Sequence, residues 1–203
     1  KNEEGNLLNL IQRIPRVEKY EIIFSCGESQ DRTFELANEI KNQEQYFNIR
    51  VIKQTGTGKA NAVFESLDIC TGDVIAILDA DISVEPETLP DFFEIIEENN
   101  ADFVNGTRLI YEMEKGSMRS INKIGNRVFQ FFIGSITKEN LTDSLCGTKV
   151  FKKELVPKIE WWKTNFNLKD PFGDFDLIFT AAFTGEKIIE FPIHYKTRTY
   201  GQT

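Results

Sequence analysis

The sequence is poor in histidine and cysteine, two residue types that commonly build zinc sites and nucleophilic catalytic centres. It contains one histidine, His194, and three cysteines, Cys26, Cys70 and Cys146. A single histidine gives little support to histidine-based zinc sites or to Ser–His–Asp triads. Three widely spaced cysteines fit neither a metal-ligand spacing nor a disulfide framework, so we expect reduced thiols in a cytoplasmic protein.

Long apolar runs and an excess of positive charge are also lacking. No apolar run reaches the roughly 18 residues of a membrane-spanning helix, so we expect no span within the chain. The 24 Lys and Arg residues are outnumbered by 32 Asp and Glu residues, which gives a net charge of −8. Because nucleic-acid affinity comes mainly from basic side chains on phosphates, we expect no nucleic-acid partner.

The length suits one domain with a sizeable core. The 203 residues are too few for two ordinary domains, so we assign residues 1–203 to a single domain. The sequence has neither a starting Met nor a signal-peptide pattern, and Lys1 stands at what looks like a helix entry. We therefore expect a fragment of a longer protein. Its first strand would precede Lys1, and further residues can follow Thr203.

The first half alternates between short apolar runs and helical periodicity. Strands are predicted at Glu21–Ser25, Ile49–Lys53, Val74–Leu78 and Phe103–Thr107, and helices around Leu7–Ile14, Asp31–Ile40, Lys59–Cys70 and Pro86–Asn99. This alternation predicts an α/β fold with a mostly parallel central sheet and helices on both faces. Ligands of such sheets bind beyond the carboxyl ends of the strands. We therefore expect Ser25–Ser29, Gln54–Lys59 and Asp79–Ser83 to surround one crevice.

The second half is less regular. An apolar stripe over 121–132 predicts a core-facing helix, with a lipid-facing surface as the alternative. A helix is predicted over Phe172–Thr184, closed by Gly185, followed by two short strands at Ile188–Pro192 and Ile193–Lys196.

Asp79 and Asp81 directly follow the apolar run Val74–Leu78 and form the most informative pair in the chain. A buried carboxylate is costly unless it is paired or binds a cation. Mg²⁺ and Mn²⁺ prefer a few carboxylates together with substrate phosphates. The pattern therefore indicates a cation site, although a solvated turn with capping aspartates is the alternative from these residues alone.

Several segments in order resemble glycosyltransferase family 2, whose members have the GT-A fold. The matching segments are Lys1–Asn6 (N-E-x-x-N), Glu21–Phe24 with Ser29–Thr33, Gly56–Ala62 (a glycine-lysine loop) and Ile77–Glu87 (D-x-D). The family usually has an acidic residue where this chain has Cys26 or Gly27; here the acid is Glu28. Within the family, Asn105–Arg108, Asp143–Thr148 and Arg198–Thr203 resemble polyprenyl-phosphate sugar transferases such as dolichol-phosphate mannose synthases.

The resemblance implies a UDP- or GDP-sugar donor, Mg²⁺ or Mn²⁺, and a polyprenyl (dolichyl or undecaprenyl) phosphate acceptor. It places the chain in cell-envelope glycan biosynthesis, in peripheral contact with the cytoplasmic face of a membrane. It implies that Asp79 and Asp81 hold the metal and diphosphate, with Glu3, Glu28 and Lys59 also at the donor. It further implies that Arg108, Arg119 and Arg198 bind the acceptor phosphate.

The acceptor decides whether a base is needed. A phosphate monoester is mostly ionised near neutral pH, its second pKa being about 6, and can attack unaided. A sugar hydroxyl would need a carboxylate base, for which Asp174 is the candidate alongside Asp81 as a catalytic carboxylate. The alternative role of Asp174 is a helix N-cap.

Three other functions remain open from the sequence. One is a family 2 transferase that acts on a sugar hydroxyl. The second is a haloacid dehalogenase-type phosphatase, because Asp79–Ser83 also fits D-x-D-x-[T/S] after an apolar strand. The third is a catalytically inactive binding domain, for which the missing acid at Cys26 is the main argument.

Overall fold

The computed structural model describes residues 1–16, 20–44, 47–108, 134, 141–166, 170–198 and 200. The strands are β1 Glu21–Cys26, β2 Asn48–Lys53, β3 Val74–Ile77, β4 Phe103–Thr107, β5 Lys149–Lys152 and β6 Ile188–Pro192. The helices are α1 Glu4–Arg13, α2 Thr33–Gln43, α3 Gly58–Leu67, α4 Leu89–Glu98, α5 Val156–Phe166 and α6 Asp174–Phe183. Short 3-10 turns at Pro86–Thr88 and Lys153–Leu155 lead into α4 and α5.

The strands form two sheets with mixed strand directions. β1 and β2 pair in parallel, and the second sheet has the order β3-β5-β4-β6. In it β4 and β6 are parallel, whereas β5 runs antiparallel to both β3 and β4. The expected parallel pairs are therefore interrupted by β5, a strand that the sequence did not predict. Its first residue, Lys149, lies opposite Ile77 and Asn105, near the carboxyl ends of β3 and β4.

The central strands are buried on both faces by helices, as expected. Because successive side chains of a strand point to opposite faces, Phe103 and Phe151 enter one apolar cluster, with α5 and α6. Val104 and Val150 enter another, with α4. All four side chains are 0% exposed. A third apolar cluster joins α1 and α2 to β1 and β2.

Two predicted elements of the second half differ from the structure. The helix expected from Phe172 begins at Asp174, because Gly173 has a left-handed φ of 80°. The strand expected at Ile193–Lys196 is reduced to one bridge between Val84 and Tyr195. The helix predicted over 121–132 lies outside the described residues. No helix in the described ranges has the length and apolarity to cross a bilayer.

The edges of β1 and β3 face one open cavity rather than each other. In the described part of the chain, β1 pairs with β2 and β3 pairs with β5, and each leaves its other edge without a strand. Consecutive residues of both strands, together with Lys1, line a cavity of about 2380 Å³. A typical small-ligand site measures roughly 300–1,000 Å³. The cavity therefore combines the gap between the sheets with the crevice at the strand ends.

Candidate functional site

The cavity brings together the predicted site residues that the structure describes. These residues come from the start of α1, the loops after β1, β2, β3 and β4, the start of α6 and the segment after β6. They are Glu3, Glu28, Lys59, Asp79, Asp81, Arg108, Asp174 and Arg198. Arg119, the third arginine predicted at the acceptor phosphate, lies outside the described residues.

The turn after β3 holds the aspartate pair in a constrained conformation. Asp81 is 4% exposed, and its Oδ1 accepts a hydrogen bond of 2.9 Å from the Ser83 backbone N–H. Ile82, between them, has a φ of 56°, which is unfavourable for a β-branched residue. Such strained positions cluster at ligand sites because the surrounding structure must hold them. This turn therefore has the properties of a preorganised binding site.

Lys59 is the ion-pair partner of Asp79. It lies in the first turn of α3, and its Nζ is 2.8 Å from Asp79 Oδ1. Burial alone would raise the pKa of Asp79, but the charge of Lys59 outweighs it and the pKa lies below its ordinary value. Burial likewise lowers the pKa of Lys59, and Asp79 followed by Asp174 more than reverses this. The two groups are therefore held charged together.

Arg198 pairs with the second aspartate. Its Nε is 2.6 Å from Asp81 Oδ2, and its side chain is 37% exposed. The backbone is fixed nearby, because Lys196 N–H donates to Ser83 O at 2.9 Å. Lys196 Nζ also lies 2.5 Å from Glu85 Oε1. The sequence placed Arg198 at an acceptor phosphate, whereas the structure shows it on the carboxylate expected to bind a metal.

The start of α1 and the loop after β1 are connected by hydrogen bonds across the crevice. Asn2 N–H donates to Ser29 Oγ at 3.1 Å, and Glu3 N–H donates to Thr33 Oγ1 at 2.8 Å. Burial raises the pKa of Glu3, against a hydrogen bond from Asn6 that lowers it. Glu28 lies exposed in this same loop and lines the cavity. The segments of Glu3 and Glu28, which the family resemblance places at the donor, are thus neighbours.

Asp174 forms an ion pair with Lys149, which the sequence analysis missed. Lys149 Nζ is 2.7 Å from Asp174 Oδ1, and it also donates to the carbonyl oxygen of Cys146. The Lys149 side chain is 0% exposed and that of Asp174 is 7% exposed. Asp174 is the first residue of α6, but the N-cap is Gly173 and no side chain caps the helix, so the N-cap alternative is wrong; the Asp174 carboxylate faces a buried cation instead. The local sequence around Lys149 gave no signal that a lysine would be buried.

Gly147 packs directly against the ion pair of Lys59 and Asp79. A Cβ atom at this position would clash with Asp79 Oδ2 and Lys59 Nζ. Cys146, the preceding residue, is buried, and burial raises the pKa of its thiol to about 11. The turn at 146–147 therefore forms a fixed wall of the site, and its thiol is held protonated.

Arg108 is held by a buried acid at the edge of the cavity. Its Nε and Nη2 lie 2.6 and 2.8 Å from the two carboxylate oxygens of Asp143. The guanidinium also lies 5.1 Å from the ring centroid of Tyr195. The Glu190 carboxylate accepts hydrogen bonds from the backbone N–H groups of Thr142 and Asp143, and so holds Asp143 in place. The arginine is thus rigidly oriented rather than free on the surface.

Asp176, in the first turn of α6, has a buried environment. It is 3% exposed and accepts a hydrogen bond of 3.2 Å from Trp162 Nε1. Burial raises its pKa above the ordinary value. Asp176 therefore anchors α6 to α5 and does not reach the cavity.

The donor set suits a magnesium-type ion that brings its own phosphate ligands. Asp79 and Asp81 supply two carboxylates, and the described residues contain no group of three or more His, Cys, Asp or Glu side chains placed to hold a metal. Mg²⁺ sites commonly use one or two carboxylates, with waters and substrate phosphates completing the shell. The two aspartates therefore fit such an ion together with a diphosphate.

Comparisons with known proteins agree with this geometry. Residues 1–160 match the family described as Glycosyl transferase family 2. The dolichol-phosphate mannosyltransferase of Pyrococcus furiosus is 26% identical, over 100% of this chain and 56% of that protein. The hexosyltransferase Agl6 of low-salt glycan biosynthesis in Haloferax volcanii is 26% identical, over 97% of this chain and 46% of that protein. The chain spans about half the length of these two relatives.

A third relative is covered more fully. The dolichyl-phosphate hexose transferase of Haloferax volcanii is 28% identical, over 100% of this chain and 82% of that protein.

Solved structures of glucosyl-3-phosphoglycerate synthase from Mycobacterium tuberculosis share the fold. The complex with Mn²⁺, UDP and glucosyl-3-phosphoglycerate has a TM-score of 0.69 and 18% identity, covering 100% of this chain and 69% of that one. The complex with Mn²⁺, UDP and phosphoglyceric acid has a TM-score of 0.70 and 17% identity, covering 100% and 68%. At this identity the likeness shows the fold alone, and it confirms the predicted GT-A architecture.

Proposed function

Because this chain belongs to glycosyl transferase family 2, we propose that it transfers a hexose from a nucleoside-diphosphate sugar to a polyprenyl phosphate. The supporting observation is the convergence of paired carboxylates and three cationic side chains on one cavity at the strand ends. The relatives named for dolichyl-phosphate sugar transfer support the acceptor class. Membership of this family removes the haloacid dehalogenase-type phosphatase from consideration.

The donor would bind at the turn after β3. Asp79 and Asp81 would hold Mg²⁺ or Mn²⁺, which when bound stabilises the negative charge that develops on the leaving diphosphate. Lys59 lies at the N-terminus of α3, where its charge and the helix N–H groups favour an anion. Glu3 and Glu28 line the same cavity and would contact the nucleoside of a UDP- or GDP-sugar.

The acceptor phosphate would be oriented by arginines. Arg108 is preorganised by its bidentate pair with Asp143, and Arg198 reaches the same cavity. Arg119 is the third candidate, on the basis of sequence. An ionised phosphate attacks without a base, and the pairing of Asp174 with Lys149 favours this route, because the Asp174 carboxylate already has a cationic partner. A hydroxyl acceptor would instead give Asp174 or Asp81 the role of base.

The chain would form most of one catalytic domain within a longer protein. A strand preceding Lys1 would fit between β1 and β3, because within the described ranges both strands have an edge without a partner strand at the same cavity, which Lys1 also lines. We place the protein in the cytoplasm at the cytoplasmic face of a membrane, since a polyprenyl-phosphate acceptor is anchored there by its lipid tail. Membrane contact would be peripheral for this domain.

The assay that tests this function offers two acceptor classes. The full-length protein is incubated with labelled UDP- and GDP-hexoses, Mn²⁺, and either a polyprenyl phosphate or free sugars. The expected result is a labelled lipid-phosphate product that is lost in Asp81→Ala. Product only with free sugars would refute the lipid acceptor and assign Asp174 as base. No product with any donor would favour the inactive binding domain.

A further inference from the structure

Both aspartates of the D-x-D turn already have a cationic side chain as partner. Lys59 Nζ lies 2.8 Å from Asp79 Oδ1, and Arg198 Nε lies 2.6 Å from Asp81 Oδ2. Asp81 is the more deeply buried of the two, with a side chain that is 4% exposed against 38% for Asp79. A buried carboxylate without a partner is costly. Arg198 is therefore the counter-ion that stabilises Asp81 when no ligand is bound.

Both carboxylate oxygens of Asp81 already have a partner. Oδ1 accepts the Ser83 backbone N–H at 2.9 Å, and Oδ2 accepts Arg198. The Asp81 side chain is 4% exposed, so it has little space in which to turn towards a new partner. A metal ion and the guanidinium would therefore compete for the same carboxylate.

From this competition we infer that Arg198 is a positioning residue that moves from Asp81 to a ligand phosphate, and so makes metal binding depend on the nucleoside diphosphate. The inference rests on the proposed function. A metal ion that arrives alone displaces Arg198 and leaves its positive charge unpaired beside another cation. When the metal ion arrives with a diphosphate, the oxygens of the diphosphate can form bidentate hydrogen bonds with the guanidinium.

The Arg198 side chain has the exposure that this exchange requires. It is 37% exposed, while its backbone segment is held through Lys196, whose N–H donates to Ser83 O. The guanidinium can therefore leave Asp81 while the segment stays in place. The Lys59 side chain, paired with Asp79, is less exposed, at 25%.

The test measures Mn²⁺ affinity rather than turnover. The electron paramagnetic resonance signal of free Mn²⁺ is titrated with the unmodified chain and with Arg198→Gln, each without nucleotide and with UDP or GDP. We expect Arg198→Gln to bind Mn²⁺ alone roughly tenfold more tightly, within the range of about 5- to 150-fold for coupled sites. The nucleotide should then improve Mn²⁺ affinity much less than in the unmodified chain.

Two further variants complete the design. Arg32→Gln is the matched control, because Arg32 pairs with Glu39 on the surface at 2.7 Å and does not line the cavity; it should change neither affinity. Arg198→Lys keeps the charge but not the bidentate geometry, so it should bind Mn²⁺ alone as weakly as the unmodified chain and lose part of the nucleotide effect. If Arg198→Gln does not fold, the inference is tested with Arg198→Lys.

The outcomes separate the inference from the function. If the unmodified chain binds Mn²⁺ more tightly with nucleotide, and Arg198→Gln shows the same Mn²⁺ affinities, the function stands and the exchange role of Arg198 is wrong. If nucleotide does not affect Mn²⁺ binding in the unmodified chain, the proposed donor site fails, and the inference fails with it.

Discussion

Lys149 and Asp174 form an ion pair at the candidate site, with 2.7 Å between Nζ and Oδ1 and almost no exposure of either side chain. Removing one partner of a buried pair leaves an uncompensated charge and typically costs roughly 3–5 kcal/mol. We expect Lys149→Met to lower the free energy of unfolding by about that amount, measured by urea denaturation.

The same strand provides the control for this prediction. Lys152 pairs with Asp102 at 2.8 Å, but their side chains are 29% and 30% exposed, so Lys152→Met should cost about 1 kcal/mol or less. The double variant Lys149→Met/Asp174→Asn should recover much of the loss, because neither charge is then buried alone. Equal losses for the two lysine variants would mean that the buried pair has no special role.

Gly147 should be essential for ligand binding while contributing little to stability. In Gly147→Ala the added methyl group would displace Asp79 and Lys59, which occupy the space where it must go. We expect a loss of Mn²⁺-dependent nucleotide binding of tenfold or more, measured by calorimetric titration, with a small change in melting temperature. Gly72→Ala is the control, because a Cβ atom added at Gly72 would lie 3.5 Å from its nearest neighbour, the backbone oxygen of Val74. Unchanged binding in Gly147→Ala would argue against a donor site at this turn.

Glu21 should contribute to stability only above strongly acidic pH. Burial raises its pKa, but hydrogen bonds from the Thr71 and Gly72 backbones and from Arg50 outweigh this and lower the pKa from 4.5 to about 2. A lowered carboxyl pKa stabilises the fold above the unfolded value of 4.5, and the contribution is lost as pH falls towards 2. At about 1.4 kcal/mol per pKa unit, the contribution is at most roughly 3.5 kcal/mol.

Denaturation of Glu21→Gln between pH 7 and pH 3 tests this contribution. The variant should be less stable than the unmodified chain at pH 7 and closer to it at pH 3. Glu97→Gln, at an exposed position on α4, is the matched control for the substitution itself. A constant difference between Glu21→Gln and the unmodified chain would contradict the assigned pKa.

A nucleoside diphosphate with Mn²⁺ should stabilise the domain through Asp79 and Asp81. At a ligand concentration about 100 times Kd, binding adds roughly 2.7 kcal/mol, and a domain of this size gains roughly 2–4 °C in Tm per kcal/mol. We therefore expect a rise of roughly 5–10 °C in differential scanning fluorimetry. Asp81→Ala should abolish it, and Asp91→Asn, an exposed aspartate on α4, should not. No rise in the unmodified chain would favour an interaction domain.

The sequence predicted most of the first half because its signals are local. Val74–Leu78 is a continuous apolar run, Pro15 marks the end of α1, and Asp79 and Asp81 directly follow their strand. Each of these features depends on residues within one turn or strand. The positions of the site loops at the strand ends therefore follow from the local sequence alone.

The remaining features depend on contacts between distant segments. β5 begins and ends with lysine, and its pairing with β3 and β4 cannot be read from four residues. The burial of Lys149 follows from its position between two buried strands and from Asp174 on another helix. The sequence named Arg198 as a candidate site residue, but no local pattern links it to Asp81.

The edges of β1 and β3 that line the cavity, each without a partner strand in the described part of the chain, bear on the behaviour of this domain in concentrated solution. An unpaired edge offers backbone donors and acceptors to any extended segment, including one from another copy of the chain. Ile22 on β1 and Ile77 on β3 are half-buried and add apolar surface beside these edges. A molecule with two such edges can pair with more than one neighbour, so its association need not stop at a dimer. We therefore expect a segment that covers this gap to slow the association of the domain in concentrated solution.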